Sequence, residues 1–220
     1  MKILAIDTST YYLSMAVAQD KKILASRHVK LTKVLSSSIM PEIEKILKKT
    51  RTPLSSLDGF AVGLGPGSFT SLRVGLSTVK AFSLSTGKKV VGISSLDVMA
   101  MNVKEGGHVC VASDAKRNLL YACFYTKKDN QLTRESDYLL ISPQQLLNQL
   151  SQETILVGDG IKLLGEGIKN IRKDGISESP QAKNLALLAL QRFEQNKFDD
   201  VRTLVPLYLY PEDCQVQNKK

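Results

Sequence analysis

KILAIDTSTYYLSMAVAQDKKILASRHVK, residues 2–30, decides the fold class, because it reads as three strands joined by two short turns. Ile3–Ile6 is uniformly apolar. Leu13, Met15 and Val17 then alternate with Ser14, Ala16 and Ala18, the period of a strand with one better-buried face. Ile23–Val29 supplies the third run. Thr8–Tyr12 and Gln19–Lys22 are short enough for hairpin turns, so an antiparallel meander is expected.

After the meander the period changes. Leu31, Leu35, Ile39, Ile43, Ile46 and Leu47 recur at spacings of three and four, which predicts an amphipathic helix over 31–49. Pro41 lies inside it and is expected to kink it or to mark a second start. An apolar strand (60–64), a helix opened by Gly65-Pro66-Gly67, a strand (90–93) and a short helix from Ser95 follow.

The second half repeats that order. Strands are expected at 109–113, 119–125 and 133–140. A helix at 142–150 has Ser142 as N-cap and Pro143 at its first position. A strand at 155–157, a helix near 161–168 and a helix over 182–195 complete it. The order β-β-β-α-β-α therefore occurs twice, about a hundred residues apart, which suits an α/β chain of two similar lobes. The expected division is 1–103 and a smaller 104–220, with the last segment packing back on the first lobe.

Composition narrows the function classes. The chain has 220 residues, 43% of them hydrophobic, enough for a sizeable core. Apolar runs are a few residues long, so no membrane span or secretory address is expected, and the cytoplasm is the expected location. Cys110, Cys123 and Cys214 are odd in number and widely spaced, as in a reduced compartment. His28 and His108 are far apart, and no metal site is expected. Most of the net charge of +9 sits in the first half: residues 1–103 hold 14 Lys and Arg against 6 Asp and Glu, +8 in all. Whether that basic lobe touches nucleic acid is left open by the sequence.

Four constellations could carry chemistry. Asp7-Thr8-Ser9-Thr10 ends the first strand; an acid with three hydroxyls can hold a cation and a phosphate, or bond its own turn. Ser113-Asp114-Ala115-Lys116-Arg117 is its counterpart in the second half, with side chains where a phosphate loop would have glycines. Gly158-Asp159-Gly160 closes a strand and could support an adenosine, although such a turn uses glycines anyway. Asp7, Thr8, Ser9, Thr10, Asp114, Gly158 and Gly160 are thus the candidate residues of a vestigial nucleotide cleft.

The fourth is Gly65-Pro66-Gly67-Ser68-Phe69-Thr70-Ser71-Leu72-Arg73-Val74-Gly75. Ser68 is the expected cap of the helix that follows. Leu72, Leu76 and Val79 form one apolar face, and Ser71, Gly75, Thr78 and Phe82 a second, mostly small one. An interior glycine costs about 1 kcal/mol relative to alanine unless close packing compensates. The small face is therefore expected either to be sandwiched within its own subunit or to receive a partner's helix, together with Leu35, Ile39 and Ile43.

Ile6-Asp7-Thr8-Ser9, Gly65–Thr70 with Leu72–Gly75, Gly92–Leu96, Ser113-Asp114-Ala115 and Pro206–Leu209 together resemble the bacterial TsaB (YeaZ) family of tRNA threonylcarbamoyladenosine biosynthesis proteins, over residues 1 to about 214. The resemblance implies a two-lobed actin-like, ribonuclease H-like fold and a non-catalytic subunit without a cofactor, catalysis belonging to the partner. That subunit pairs with a TsaD-like transferase and, with a TsaE-like ATPase, supports formation of N6-threonylcarbamoyladenosine at position 37 of tRNAs reading codons that begin with A. It implies pairing through the helices at 31–49 and 68–85, a homodimer or monomer when alone, and contact with tRNA through the complex. Any weak nucleotide binding would fall at the partner interface. Ser71 stands where the family usually has glycine, Leu35 and its neighbours lack a frequent histidine, and Tyr210 replaces a frequent arginine. The competing reading is an enzyme of the same superfamily, a small-molecule kinase or transferase using Asp7 and Asp114 with Mg-ATP.

Overall fold

β1 (Lys2–Asp7) is buried on both faces, and this makes it the middle of a sheet rather than an edge. Leu4 and Ile6 point into one apolar layer, Ile3 and Ala5 into another. β2 (Tyr12–Gln19) and β3 (Lys22–Lys30) follow it antiparallel, while β4 (Gly59–Gly63) and β5 (Lys89–Ile93) lie parallel on its other side, in the order β3-β2-β1-β4-β5. The structure, a computed structural model, describes residues 1–30, 34–129, 131–165 and 178–211.

Helices cover both faces of this sheet. α1 (Leu35–Lys49) and α2 (Phe69–Thr86) bury Leu35, Ile39, Ile43, Ile46, Leu76, Val79 and Phe82 against Leu4, Ile6, Leu13, Met15 and Val17. Each large side chain in such a layer contributes about 1.5–3 kcal/mol through burial. The opposite face is covered by α5 (Ala182–Glu194), whose Leu185, Ala186, Ala189, Leu190 and Phe193 meet Ile3, Ala5, Ala16, Ala18, Ala61 and Val91. The small residues of β1 and β2 on that side let α5 approach closely.

The second sheet contains β6 (Gly107–Lys116), β7 (Leu119–Lys128), β8 (Gln131–Arg134), β9 (Leu139–Ile141) and β10 (Ile155–Val157). Its order is β10-β6-β7-β8, with β9 also on β7. β6 pairs antiparallel with β7 and parallel with β10, as β1 does with β2 and β4. β8 on β7 matches β3 on β2. The duplication inferred from element order is thus present in the pairing senses. α3 (Ser95–Ala100) packs on one face, and α4 (Pro143–Leu147) with a 3-10 turn at Asp159–Leu164 on the other.

Several local expectations need correction. The strand expected over 133–140 is interrupted, because Ser136 Oγ accepts from Phe124 N at 3.0 Å and takes a position the backbone ladder would fill. α1 runs through Pro41 as one helix with no second start; residues 31–33 of the expected helix lie outside the described residues. Ser142 caps α4 in a full capping box with Gln145, yet the helix ends at Leu147. The helix expected near 161–168 begins as the 3-10 turn at Asp159, and its remainder after Gly165 lies outside the described residues, as does Cys214.

Candidate functional site

The β1–β2 turn and the β6–β7 turn, equivalent in the two lobes, face each other across a cleft of about 450 Å³. Ser9, Thr10 and Tyr11 line it from the first lobe, with Leu35, Gly67, Ser68 and Ser71 from the helices behind. Ser113, Asp114, Ala115, Lys116, Tyr121 and Asp159 line the other wall. The Lys116 ammonium lies 5.7 Å from the Tyr11 ring centroid, so a cation–π contact joins the two turns at the rim.

Asp7 does not line this cleft. Its carboxylate is buried and turned into the protein, where Oδ1 accepts from Ser9 N at 2.9 Å and Ser9 Oγ at 2.7 Å. Oδ2 accepts from Ser95 Oγ at 2.6 Å. Burial pushes the Asp7 carboxyl above the usual carboxylate range, although these hydrogen bonds pull against it. Thr8 is buried as well, its Oγ1 donating to the Ser71 carbonyl at 2.8 Å. Of the first-lobe candidates, Ser9 and Thr10 reach the cleft, and Asp7 and Thr8 hold the hairpin beneath it.

The Gly65–Gly75 segment explains why. Gly65 adopts φ +86° to turn the chain. Gly67 sits against the Ser9 carbonyl, where a Cβ would overlap the oxygen, and Ser68 N donates to that carbonyl at 2.9 Å. Gly75 is buried against Thr8, whose Oγ1 occupies the space a Cβ would need. Gly75 and the Ser71 carbonyl are therefore taken up by the first hairpin of their own lobe, while Phe82 packs on Phe60. Ser68 occupies the N-cap position but does not cap through its side chain; its hydroxyl donates to Ser71 Oγ at 3.0 Å.

The expected docking residues shift accordingly. Leu35, Ile39, Ile43, Leu72, Gly75, Leu76, Val79 and Phe82 are buried in the first lobe's own core, and Ser71 and Thr78 are half-buried. An amphipathic pattern identifies the apolar face of a helix, and here both apolar faces turn to the sheet. α1 presents Met40, Pro41 and Glu44 to solvent together with Lys45, Lys48 and Lys49, and α2 presents Thr70, Ser77, Ala81 and Leu84 along with Phe69, Arg73 and Ser85. Met40 is 50% exposed and Leu84 62%.

In the second lobe, Asp114 accepts from Lys116 N at 2.7 Å and pairs with its ammonium. Partial burial raises the Asp114 carboxyl, but the Lys116 hydrogen bonds and charge outweigh it and hold the group below its ordinary value. Lys116, Arg117 and Asn118 all adopt left-handed φ, at 68°, 53° and 57°. The turn keeps a glycine-like path while carrying full side chains. Gly158 and Gly160 do not reach the cleft: both pack against the backbone of Ala112 on β6, and Asp159 between them faces it instead. Asp159 Oδ1 accepts from Ser113 Oγ at 2.8 Å and Asp114 N at 3.1 Å.

Two links join the lobes. α3 is bolted to both: Ser95 holds Asp7 and, two residues on, Asp97 accepts from Tyr125 and Tyr138 hydroxyls at 2.8 and 2.9 Å. The terminal segment is the second. Leu207 N donates to the Leu64 carbonyl at 2.8 Å, Tyr208 packs on Phe69 and meets Arg73 Nε at 3.2 Å, and Tyr210 donates to the Ala115 carbonyl at 2.9 Å. Tyr210 thus closes the strap on the cleft wall. No cluster of three metal-ligating side chains occurs among the described residues.

Comparison with known proteins adds the following. The family model for TsaD, tRNA N6-adenosine threonylcarbamoyltransferase, matches residues 29–213. The tRNA threonylcarbamoyladenosine biosynthesis protein TsaB of Escherichia coli is 31% identical over 95% of this chain and 94% of its own length. TsaB of Bacillus subtilis is 27% identical with the same coverage of both chains. YeaZ from Pseudomonas aeruginosa superposes with a TM-score of 0.84 at 21% identity, over 94% of this chain and 99% of that one. The fold is the two-lobed, actin-like α/β duplication of ribonuclease H type.

Proposed function

The chain belongs to the TsaD threonylcarbamoyltransferase family and stands within it among the TsaB proteins, and we propose that it serves tRNA threonylcarbamoyladenosine biosynthesis as a non-catalytic subunit pairing with a TsaD-like transferase. The observation that carries the non-catalytic part is the state of Asp7 and Asp114, the two acids a kinase-type reading would use. Asp7 spends its carboxylate on Ser9 and Ser95, and Asp114 is neutralised by Lys116. A kinase-type site needs carboxylates free to hold a cation beside the phosphates. The side chains of Lys116 and Arg117 also occupy the turn that would have to approach them.

Pairing is assigned to the solvent faces of α1 and α2, centred on Met40, Ser77, Ala81 and Leu84. Small side chains at Ser77 and Ala81 allow close helix approach, and Met40 and Leu84 supply adaptable apolar contacts. A TsaE-like ATPase, a homodimer of the isolated chain and a cytoplasmic location belong to the same reading. Any weak nucleotide binding is assigned to the partner interface by the same reading.

The test is a reconstitution with unmodified tRNA, the cognate transferase, the ATPase and this chain, scoring the modified nucleoside by mass spectrometry. Modification that requires this chain and the transferase together is the expected result. Full modification with this chain omitted, or Mg-dependent ATP turnover by this chain in isolation, would overturn it.

A further inference from the structure

We propose that the end of the first lobe remote from the cleft is a docking surface for an RNA sugar–phosphate backbone. This rests on the reading above in taking that RNA to be the tRNA that is modified. Strand register places the cations in a row. Lys2 pairs with Gln19 and Gln19 with Lys22, while on the other side Ile3 aligns with Gly59 and Gly59 with Lys89. Lys22, Lys2 and Lys89 therefore share one edge of a five-stranded sheet, across about 19 Å at the usual strand spacing. α1 and α2 both run antiparallel to the strands they lead into, so Lys49, Arg51 and Lys88 arrive at that same edge.

The charge there is not balanced. Among the described residues, none of Lys2, Lys22, Lys49, Arg51, Lys88 and Lys89 forms an ion pair with an acid. The neighbouring acids already have partners: Asp20 the N-terminal amine, Glu44 Lys48, Glu194 Lys21 and Asp199 Arg192. Asp58 and Asp200, bonded to the backbone N–H groups of Lys2 and Arg202, offset two of the remaining charges. Lys22, Lys49, Arg51 and Lys89 are exposed.

Stabilisation of helix C-termini accounts for Lys48 and Lys49, which sit in the last turn of α1. It does not account for the others, which occupy strand starts and turns; the last turn of α2 has no basic residue. A protein partner would call for an apolar centre in the patch. The positions Lys22, Gln19, Lys2, Asp58 and Lys88 that run along the edge contain none. Cations spaced along a line, with Phe198 beneath the Lys89 ammonium at 5.8 Å as an aromatic neighbour, fit phosphate contacts that position a nucleic acid without reading its sequence.

The test compares the wild-type complex with one carrying Lys49→Glu, Arg51→Glu, Lys88→Glu and Lys89→Glu together, against the Lys→Arg set Lys49→Arg, Lys88→Arg and Lys89→Arg. The probe is unmodified tRNA transcript, titrated by fluorescence anisotropy at several salt concentrations. Affinity is expected to fall about tenfold or more for the reversal variant at about 0.15 M salt, with a shallower dependence on log salt. The arginine set should bind as wild type, and the reversal variant should still pair with the transferase on a sizing column. In the modification assay its KM for tRNA should rise while turnover at saturating tRNA holds. Unchanged affinity and salt slope with pairing intact would overturn the proposal. So would lost pairing with unchanged tRNA affinity, which would assign the edge to an acidic protein. A wild-type complex that binds tRNA through this edge yet does not modify it would sink the functional reading and keep this one.

Discussion

Ser95 Oγ donates to Asp7 Oδ2 across 2.6 Å, and the same oxygen accepts from Gly65 N at 3.1 Å. One hydroxyl thus joins the first hairpin, the turn that opens α2 and the helix that crosses to the second lobe. The acid that a kinase would place on a cation is here a structural acceptor for three donors, two of them from Ser9.

Asp7→Ala should therefore destabilise the chain, at about 1–3 kcal/mol for each buried donor left without a partner. The Asp7→Asn variant adds a pH signature. Because burial raises the folded-state pKa above 3.8, wild-type stability is fully present below that value and declines as pH rises through the raised pKa. The stability difference in favour of wild type should shrink over that interval, since asparagine does not titrate. Denaturant melts at stepped pH measure it, and a difference that widens with pH would contradict the assignment.

Gly75→Ala tests the packing of α2 on the hairpin. Alanine gains about 1 kcal/mol of helix propensity over glycine, yet its Cβ must displace Thr8 Oγ1 from a buried contact. A net loss of about 1–3 kcal/mol is expected from overpacking. Adding Thr8→Ala should recover part of the loss, giving non-additive values in a double-mutant cycle. Strict additivity would show that the two residues do not compete for that space.

The outward helix face separates pairing from folding. Ala81→Arg should abolish assembly with the transferase on a sizing column while leaving stability within about 0.5 kcal/mol. Ile43→Ala, on the inward face, should instead cost about 2–5 kcal/mol. If Ala81→Arg still pairs, the docking surface lies elsewhere.

Thiol labelling offers a fourth check. Cys110 and Cys123 are buried, and burial raises both thiols above their ordinary pKa. In a Cys214→Ser background, neither should react with a disulfide reagent on the timescale of free cysteine until denaturant is added. Rapid labelling of the native protein would mean that the β6–β7 pair opens locally.

The elements were legible wherever periodicity carried them: the alternation in Leu13–Ala18, the three-four spacing from Leu35 to Ile46, and Ser142-Pro143 as a helix start. Covering partners were not. The pattern around Gly75 requires something close by, and a second helix and a threonine from the preceding hairpin satisfy it equally well. Likewise Asp7 with three following hydroxyls is compatible with a ligand turn and with a self-bonded one, and Ser95, 88 residues away, decides between them. The cleft residues Tyr11 and Tyr121 lacked a local signal, because they become neighbours only where the two lobes meet, and Asp159 was marked only through the glycines that flank it.

α5 places the order of synthesis at odds with the order of packing. The first sheet is complete in sequence at Ile93, but the helix that covers its second face ends at Glu194. At about 5–20 residues per second, that face stays open for about 5–20 s after its last strand has been made. The alanines along it, Ala5, Ala16, Ala18 and Ala61, leave the waiting surface with little bulk. A nascent chain stalled after residue 103 would accordingly hold a sheet clothed on one side and bare on the other, a substrate for chaperones rather than an independent lobe.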